Sequence, residues 1–351
     1  MKPPKTTAIP LSDFDFYLPA GLIGQKPIKP RDAARLLILD KVAGRIKHRH
    51  FFDLPGLLRS DDVLVFNDSK VIPARLPGVK DTGGRVEVFL LKKIKESKSK
   101  AGKQQKNVWQ CLIGGKIKSG QKIVLAKNIS ARAISKDSDQ TWLMEFNAGD
   151  RRLFALGETP LPPYIKTKAK LEDYQTVYAK EAGSVAAPTA GLHFTRKLLG
   201  QLKKGGVKIE YVTLHVGLGT FAPVKVDNLL EHKMHAERAE IDAATAKRLN
   251  RFRAEGRRII AVGTTAARTL EAMADSSGRL RAGNRLTDIF IYPGYKFRFV
   301  NALITNFHLP KSTLLVLVSA LAGRDNILSA YREAIKKKYK FFSFGDGMMI
   351  E

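Results

Sequence analysis

Three histidines stand in loop-like stretches, and two of them, His215 and His308, end apolar, strand-like runs beside residues that turn the chain. They are His193 in Gly191-Leu192-His193-Phe194, His215 in Leu214-His215-Val216-Gly217, and His308 in Asn306-Phe307-His308-Leu309-Pro310. A neutral imidazole donates or accepts a proton near pH 7, so three such loops converging on one pocket would equip it for proton transfer. The first loop, residues 183–195, is rich in Gly, Ala, Thr and Pro. Small side chains let a ligand approach backbone amides and carbonyls, and Pro188 restricts the conformations available. Gly263-Thr264-Thr265 lies at a strand-to-helix turn, where free helix amides can hold a carboxylate or phosphate; an ordinary threonine cap reads equally well there.

Other chemistries find less support. His232 and His235 are spaced by one helical turn, but no cysteine or glutamate completes a zinc set, and no metal is expected. Lys311-Ser312-Thr313 looks like the end of a phosphate loop without its upstream glycines. No serine sits on a nucleophile elbow, so covalent serine catalysis is not indicated.

The elements that must position these loops follow from hydrophobic period and breakers. Residues 35–39 and 63–66 read as buried strands, the second ending in Asn67-Asp68-Ser69, polar groups of the kind found at ligand-binding strand ends. Between residues 73 and 146 short apolar runs at 85–91, 108–113, 121–125, 131–135 and 141–146 alternate with turns, the pattern of a small antiparallel barrel or sandwich. From residue 194 onward helices (194–203, 243–254, 266–273, 311–321, 326–338) alternate with strands (207–216, 257–263, 288–292, 303–305). The expectation is an α/β domain with a mixed or parallel sheet covered by helices, built from residues 1–70 and 151–351, and interrupted by an inserted β-barrel domain, 71–150, with a basic loop at 92–106.

Composition narrows the setting. The 351 residues carry a net charge of +28. Residues 92–106 hold seven lysines and one glutamate, a net of +6, so +22 stays on the rest and the excess is global. A polyanionic partner is the natural reading, a generally basic proteome the bland one. No apolar run reaches the roughly 20 residues of a bilayer span. The single cysteine, Cys111, excludes an internal disulfide, and residues 1–9 lack a signal-peptide core, so a cytoplasmic location without membrane attachment is expected.

The loops at 174–179, 183–195, 215–221, 232–237, 262–265, 305–313 and 341–348, with 25–37 and 65–76, closely resemble the S-adenosylmethionine:tRNA ribosyltransferase-isomerase family. The block Ala186-Ala187-Pro188-Thr189-Ala190-Gly191-Leu192-His193-Phe194 is its most specific part. The resemblance covers nearly the whole chain. It implies transfer and isomerisation of the ribosyl group of S-adenosylmethionine onto 7-aminomethyl-7-deazaguanine (preQ1) at the wobble position of tRNA. Epoxyqueuosine would form, with release of adenine and methionine, and no metal would take part. It also implies the α/β domain with an inserted barrel. Asp61 stands where the family usually has glycine, Arg238 where an aromatic is frequent, and Ser343-Phe344-Gly345-Asp346-Gly347-Met348 where it tends to Ser-Tyr-Gly-Asp-Ala-Met. The lysines of 92–106 carry no family role in tRNA binding.

On that resemblance, His193, His215 and His308 are expected to move protons, with their division of labour open, and Asp346 or Glu237 to orient an imidazole or hold the amine. Gly217, Gly219, Thr220, Gly263, Thr264, Thr265 and Asn306 are expected around S-adenosylmethionine. Ala187, Pro188, Thr189, Tyr174 and Gln175, with basic Lys70, Arg75 and Lys311 at the mouth, are expected around the tRNA substrate. A non-catalytic RNA-binding protein and a methyltransferase using the same cofactor remain as alternatives, which product analysis separates.

Overall fold

The computed structural model describes residues 8–94, 107–138, 140–217 and 224–351. The first strands, β1 (Arg35–Leu39) and β2 (Ile46–His50), form an antiparallel hairpin. A short helix, α1 (Leu54–Leu57), leads to β3 (Val63–Asn67), all five of whose residues are buried, and to β4 (Ser69–Val71).

Six strands then close a barrel: β5 (Arg75–Lys80), β6 (Arg85–Lys93), β7 (Asn107–Gly114), β8 (Lys122–Ala126), β9 (Ile129–Lys136) and β10 (Thr141–Phe146), in the order β10-β7-β6-β5-β8-β9. Every pairing is antiparallel, and closure removes the unpaired edges of so short a sheet. Alternation fills the interior: Asn107, Trp109 and Cys111 of β7 point inward, as do Ile129, Ala131 and Ala133 of β9. The chain leaves the barrel through α2 (Asp150–Leu156). The loop expected at 92–106 begins later than its first residues: Lys92 and Lys93 belong to β6, Lys93 pairing with Asp150 at 2.8 Å, and residues 95–106 lie outside the described residues.

The remaining chain alternates. It runs β11 (Glu181–Ser184), α3 (Arg196–Lys204), β12 (Lys208–His215), β13 (Glu237–Ile241), α4 (Ala243–Ala254), β14 (Ile259–Val262), α5 (Thr264–Met273), β15 (Gly283–Thr287), β16 (Ala302–Asn306), α6 (Thr313–Ala322), α7 (Arg324–Lys336) and β17 (Gly347–Ile350). The main sheet has nine strands in the order β15-β13-β12-β3-β14-β16-β17-β1-β2. β12, β3, β14 and β16 are mutually parallel; β13 and β15 add antiparallel pairings on one side, and on the other β17 runs antiparallel to β16 but parallel to β1, which pairs antiparallel with β2. Leu36 and Ile38 of β1 enter the core under α1 and α3, while Leu37 and Leu39 enter the larger core under α4 to α7. The sheet is therefore buried on both faces, and its central strands read as continuous apolar runs.

Some sequence expectations are corrected. The strand drawn at 288–292 is not one. That segment belongs to no strand ladder, although Ile291 packs into the core, and the strand β15 lies just upstream, where four of five residues are exposed. An edge strand facing water carries little apolar signal, and the rule that seeks apolar runs passes over it. β13 and β17 also lie outside the expected strands, for lack of a clear apolar run of their own or for closeness to glycine. The one-turn spacing of His232 and His235 is not helical, since residues 232–236 form no helix. Thr264 and Thr265 do not cap α5 but begin it; the N-cap is Gly263, and no side chain caps the helix.

Candidate active site

The parallel strands end together, bringing Asn67, His215, Val262 and Asn306 to one edge of the sheet. β17 begins there too, with Gly347 opposite Asn306. Outside this edge lies a cavity of about 460 Å³, within the range of small-molecule sites and in the place where open α/β sheets bind ligands. Its wall takes residues 187–190 from the first histidine loop, Val216 from the second and residues 305–312 from the third, with Gly263, Thr264 and Thr265 from the start of α5. Tyr164 and Phe342 close one side, their rings 4.5 Å apart. The three loops converge as expected; of their histidines, only His308 lines this cavity.

His308 is held from two directions. Its backbone amide donates to the Tyr331 hydroxyl at 2.9 Å, and its Nε2 lies 3.0 Å from the Thr305 hydroxyl. Burial lowers its pKa from 6.5 to about 3, so the ring is neutral at pH 7. The described wall contains no Asp or Glu, and this imidazole is its one basic ring.

His193 stands one residue behind the wall. The Thr189 hydroxyl donates to Asn306 Oδ1 at 2.8 Å, and Asn306 Nδ2 lies 3.1 Å from His193 Nε2 and donates to the Phe342 carbonyl at 3.2 Å. Thr189 and Asn306 face the cavity, so His193 reaches it through the amide of Asn306. Its ring stacks on Phe51 at 4.2 Å between centroids. Burial first, and the charge of Arg31 second, push its pKa down to about 3, while a hydrogen bond to the Arg31 backbone opposes them. A neutral ring that donates to that backbone accepts from Asn306 at Nε2, which fixes its tautomer.

His215 points elsewhere. Gly183, at φ +142°, lies so close that an added Cβ would sit 2.9 Å from His215 Nδ1, which explains the glycine in that strand. Nδ1 is buried without a hydrogen-bond partner. Burial, then Arg238, lowers its pKa.

The two carboxylates hold structure around the cavity. Asp346 accepts from the amides of Arg35 and Lys340, both at 2.8 Å, so its two oxygens join β1 to the segment before β17. Burial raises its pKa, against those amides. Glu237 accepts from the Gly217 amide at 3.1 Å and forms a buried ion pair with Arg268 of α5. It thus anchors the start of a segment whose Gly219 and Thr220 lie outside the described residues.

Among the substrate candidates, Ala187, Pro188 and Thr189 line the cavity. Tyr174 is fully buried against Phe344. Gln175 works as a strand substitute: its amide accepts from Val71 N at 3.0 Å and donates to Val71 O at 3.1 Å, fixing the entry to the barrel. Lys70 is exposed on β4. Arg75 forms a forked pair with Glu87 in the barrel, and Lys311, in the wall, pairs with Asp15 at 2.8 Å.

Three features escape a reading of the sequence. Arg268 and Glu271, charged residues inside the wholly buried helix α5, bear the available signal, since a charge amid small apolar residues needs a partner. Glu271 accepts from the amides of Arg298, Phe299 and Val300. The aromatic pair Tyr164 and Phe342 is remote in sequence and has no local signal. Lys166, Lys168 and Lys170 are exposed on the segment that carries Pro163 and Tyr164 into the wall; their alternation is visible in Lys166-Thr167-Lys168-Ala169-Lys170, but not its place beside the cavity.

Among the described residues no group of three or more His, Cys, Asp or Glu side chains is placed to hold a metal ion, and no single helix is long and apolar enough to cross a membrane.

An open α/β sheet with a polar-edged apolar cavity at its carboxyl edge and an inserted six-stranded barrel places the chain among ligand-binding α/β proteins. The profile of the family described as "Queuosine biosynthesis protein" matches residues 11–350. Relatives named S-adenosylmethionine:tRNA ribosyltransferase-isomerase are 50% identical over 343 residues in Thermotoga petrophila and 52% over 345 in Thermosipho africanus, each covering 97% of this chain and 99% of the relative. A crystal structure of S-adenosylmethionine tRNA ribosyltransferase from Thermotoga maritima is 38% identical, with a TM-score of 0.56 over 97% of this chain and 100% of that one. The chain belongs to the queuosine biosynthesis family of S-adenosylmethionine:tRNA ribosyltransferase-isomerases, and it is an enzyme.

Proposed function

We propose that this protein transfers the ribosyl group of S-adenosylmethionine to the preQ1 base at the wobble position of tRNA and isomerises it to the epoxycyclopentane of epoxyqueuosine. The observation that carries this is 50% identity, over 97% of the chain, to relatives named for that reaction type. The cavity supports it. Its volume suits one small molecule, and the rings of Tyr164 and Phe342 offer π-faces to a sulfonium.

The sulfonium acidifies the C5′ hydrogens of its ribose. Loss of one gives an ylide that expels the ring oxygen from C4′; collapse at C1′ releases adenine and leaves an aldehyde. The aminomethyl nitrogen adds to C4′, the regenerated ylide carbon bonds to the aldehyde carbon, and the resulting alkoxide displaces methionine to close the epoxide. One proton leaves C5′, one leaves the amine and one goes to adenine. His308, the imidazole in the described wall, is the candidate to carry a proton between these positions, and Asn306 and Thr189 to hold polar atoms of the substrate, with His193 fixing the amide of Asn306. His215, Asp346 and Glu237 act as positioning groups in this reading.

The target base must leave the anticodon stack to enter such a cavity. The lysine strip at 166–170 beside the rim, with Lys70, is the candidate ground for the displaced backbone. The test is mass analysis of nucleosides from preQ1-containing tRNA incubated with the protein and S-adenosylmethionine. A mass matching epoxyqueuosine supports the reading, whereas a methyl-sized gain supports a methyltransferase, and unmodified but bound tRNA an RNA-binding protein.

A further inference from the structure

The start of α5 presents main-chain donors that no side chain caps. Gly263 takes φ +91°, a left-handed conformation that glycine adopts without strain, and so turns β14 directly into the helix. The first main-chain bond of the helix runs from Ala267 N–H to the Gly263 carbonyl, so the amides of Thr264, Thr265 and Ala266 precede the ladder. No side chain caps them, whereas Thr195, Asp242 and Ser312 cap α3, α4 and α6.

A second observation points to a ligand. Thr265 is 7% exposed, lines the cavity, and its Oγ1 has no hydrogen-bond partner. A Cβ added to Gly263 would meet that oxygen at 3.5 Å, so the hydroxyl lies beside the open end of the helix. Thr269, one turn on, returns its hydroxyl to the carbonyl of Thr265 at 2.9 Å; Thr265 makes no such bond. A buried hydroxyl left unpaired beside free amides costs stability unless a bound group accepts from it.

The chemistry of that group follows. Donors together with the positive end of a ten-residue helix select an oxyanion over an ammonium or an apolar group. The described wall has no carboxylate to compete, and its one lysine, Lys311, is paired with Asp15. Two oxyanions belong to the reaction, the methionyl carboxylate of S-adenosylmethionine and a tRNA phosphate. Enclosure within the small-molecule cavity favours the first, because a phosphate stays with the backbone at the rim.

Resting on the function proposed above, we propose that the N-terminus of α5 and the Thr265 hydroxyl form the subsite for the methionyl carboxylate of S-adenosylmethionine. The adenine and ribose then extend across the cavity toward Asn306 and His308.

The experiment compares S-adenosylmethionine with its decarboxylated analogue by calorimetry, in the presence of saturating tRNA whose wobble base lacks the aminomethyl group, so that no turnover occurs. The wild-type protein should bind the carboxylate-bearing compound at least about tenfold more tightly, the scale of a charge-assisted bond. Thr265→Val should close most of that gap by weakening S-adenosylmethionine alone, and Thr265→Ser should restore it. Unaltered thermal transitions show that the variants fold. An equal gap in wild type and Thr265→Val overturns the subsite and leaves the function standing. Weaker tRNA binding by Thr265→Val with an unchanged gap overturns it in favour of a phosphate. Failure of the wild type to bind S-adenosylmethionine at all overturns it together with the proposed function.

Discussion

At the scale of residues, the three histidines separate into three kinds. His308 faces the cavity, His193 backs it through Asn306, and His215 lies under Gly183. Removing His308 should therefore cost chemistry, and removing His193 should cost packing. For His308→Gln we expect kcat to fall by about 10²- to 10⁴-fold, the worth of general acid–base catalysis, with tRNA affinity retained. His193→Ala takes away a ring stacked on Phe51 and should lower stability by about 2–4 kcal/mol, read from urea unfolding. Both rings are held neutral, with pKa lowered from 6.5 to about 3. Below pH 6.5 the unfolded chain takes up protons that the native rings refuse. Stability due to their burial is thus complete above about pH 6.5 and is lost as pH falls toward about 3, at up to ~1.4 kcal/mol per pH unit for each ring. Urea titrations at about pH 7 and about pH 5 check the sign, and the difference should shrink in His193→Phe. The sequence shows which residue types gather at loops. It does not show which face inward, because a histidine one position behind a wall looks the same as one in it.

At the scale of elements, a buried ion pair couples α5 to β13. Glu237 joins the Arg268 guanidinium to the Gly217 amide, so one buried carboxylate holds a helix and a loop of the cavity in register. Glu237→Ala leaves Arg268 buried without its counter-charge and should cost about 3–5 kcal/mol, seen as a lower thermal midpoint. The double variant Glu237→Ala with Arg268→Met should recover part of that loss, since the uncompensated charge is gone. Elements are legible where burial is two-sided: β3, β12, β14 and the helices α3 and α4 follow from apolar runs and period, although the expected start of α3 at residue 194 lies ahead of its cap, Thr195. β15, exposed at four of five positions, and β13, with charged residues at three of its five positions, are not. Their places are set by pairing with neighbours remote in sequence, which no local pattern carries.

At the scale of the molecule, the barrel core and the cores on the α/β sheet meet along residues 185–190. Val185 packs in the barrel core, Ala187 in the cluster with Tyr174 and Phe344, and Ala190 in the core under α3. The small residues that first marked residues 183–195 are thus small because three cores meet there. The insertion is readable from turn spacing, and the +28 charge from composition, but the exposed lysines beside the cavity emerge as a strip only in three dimensions. Replacing Lys166, Lys168 and Lys170 by alanine should weaken tRNA binding and flatten the slope of log affinity against log salt by about 2 to 3, near 0.7–0.9 for each phosphate no longer neutralised. An unchanged slope would remove this strip from the interface. The most direct test of the proposed reaction is a single time course with preQ1-containing tRNA and S-adenosylmethionine, in which adenine, methionine and the modified nucleoside are quantified together. All three should rise in equal amounts, with the nucleoside at the mass of epoxyqueuosine. Nucleoside formation without adenine release, or with S-adenosylhomocysteine in place of methionine, would contradict it.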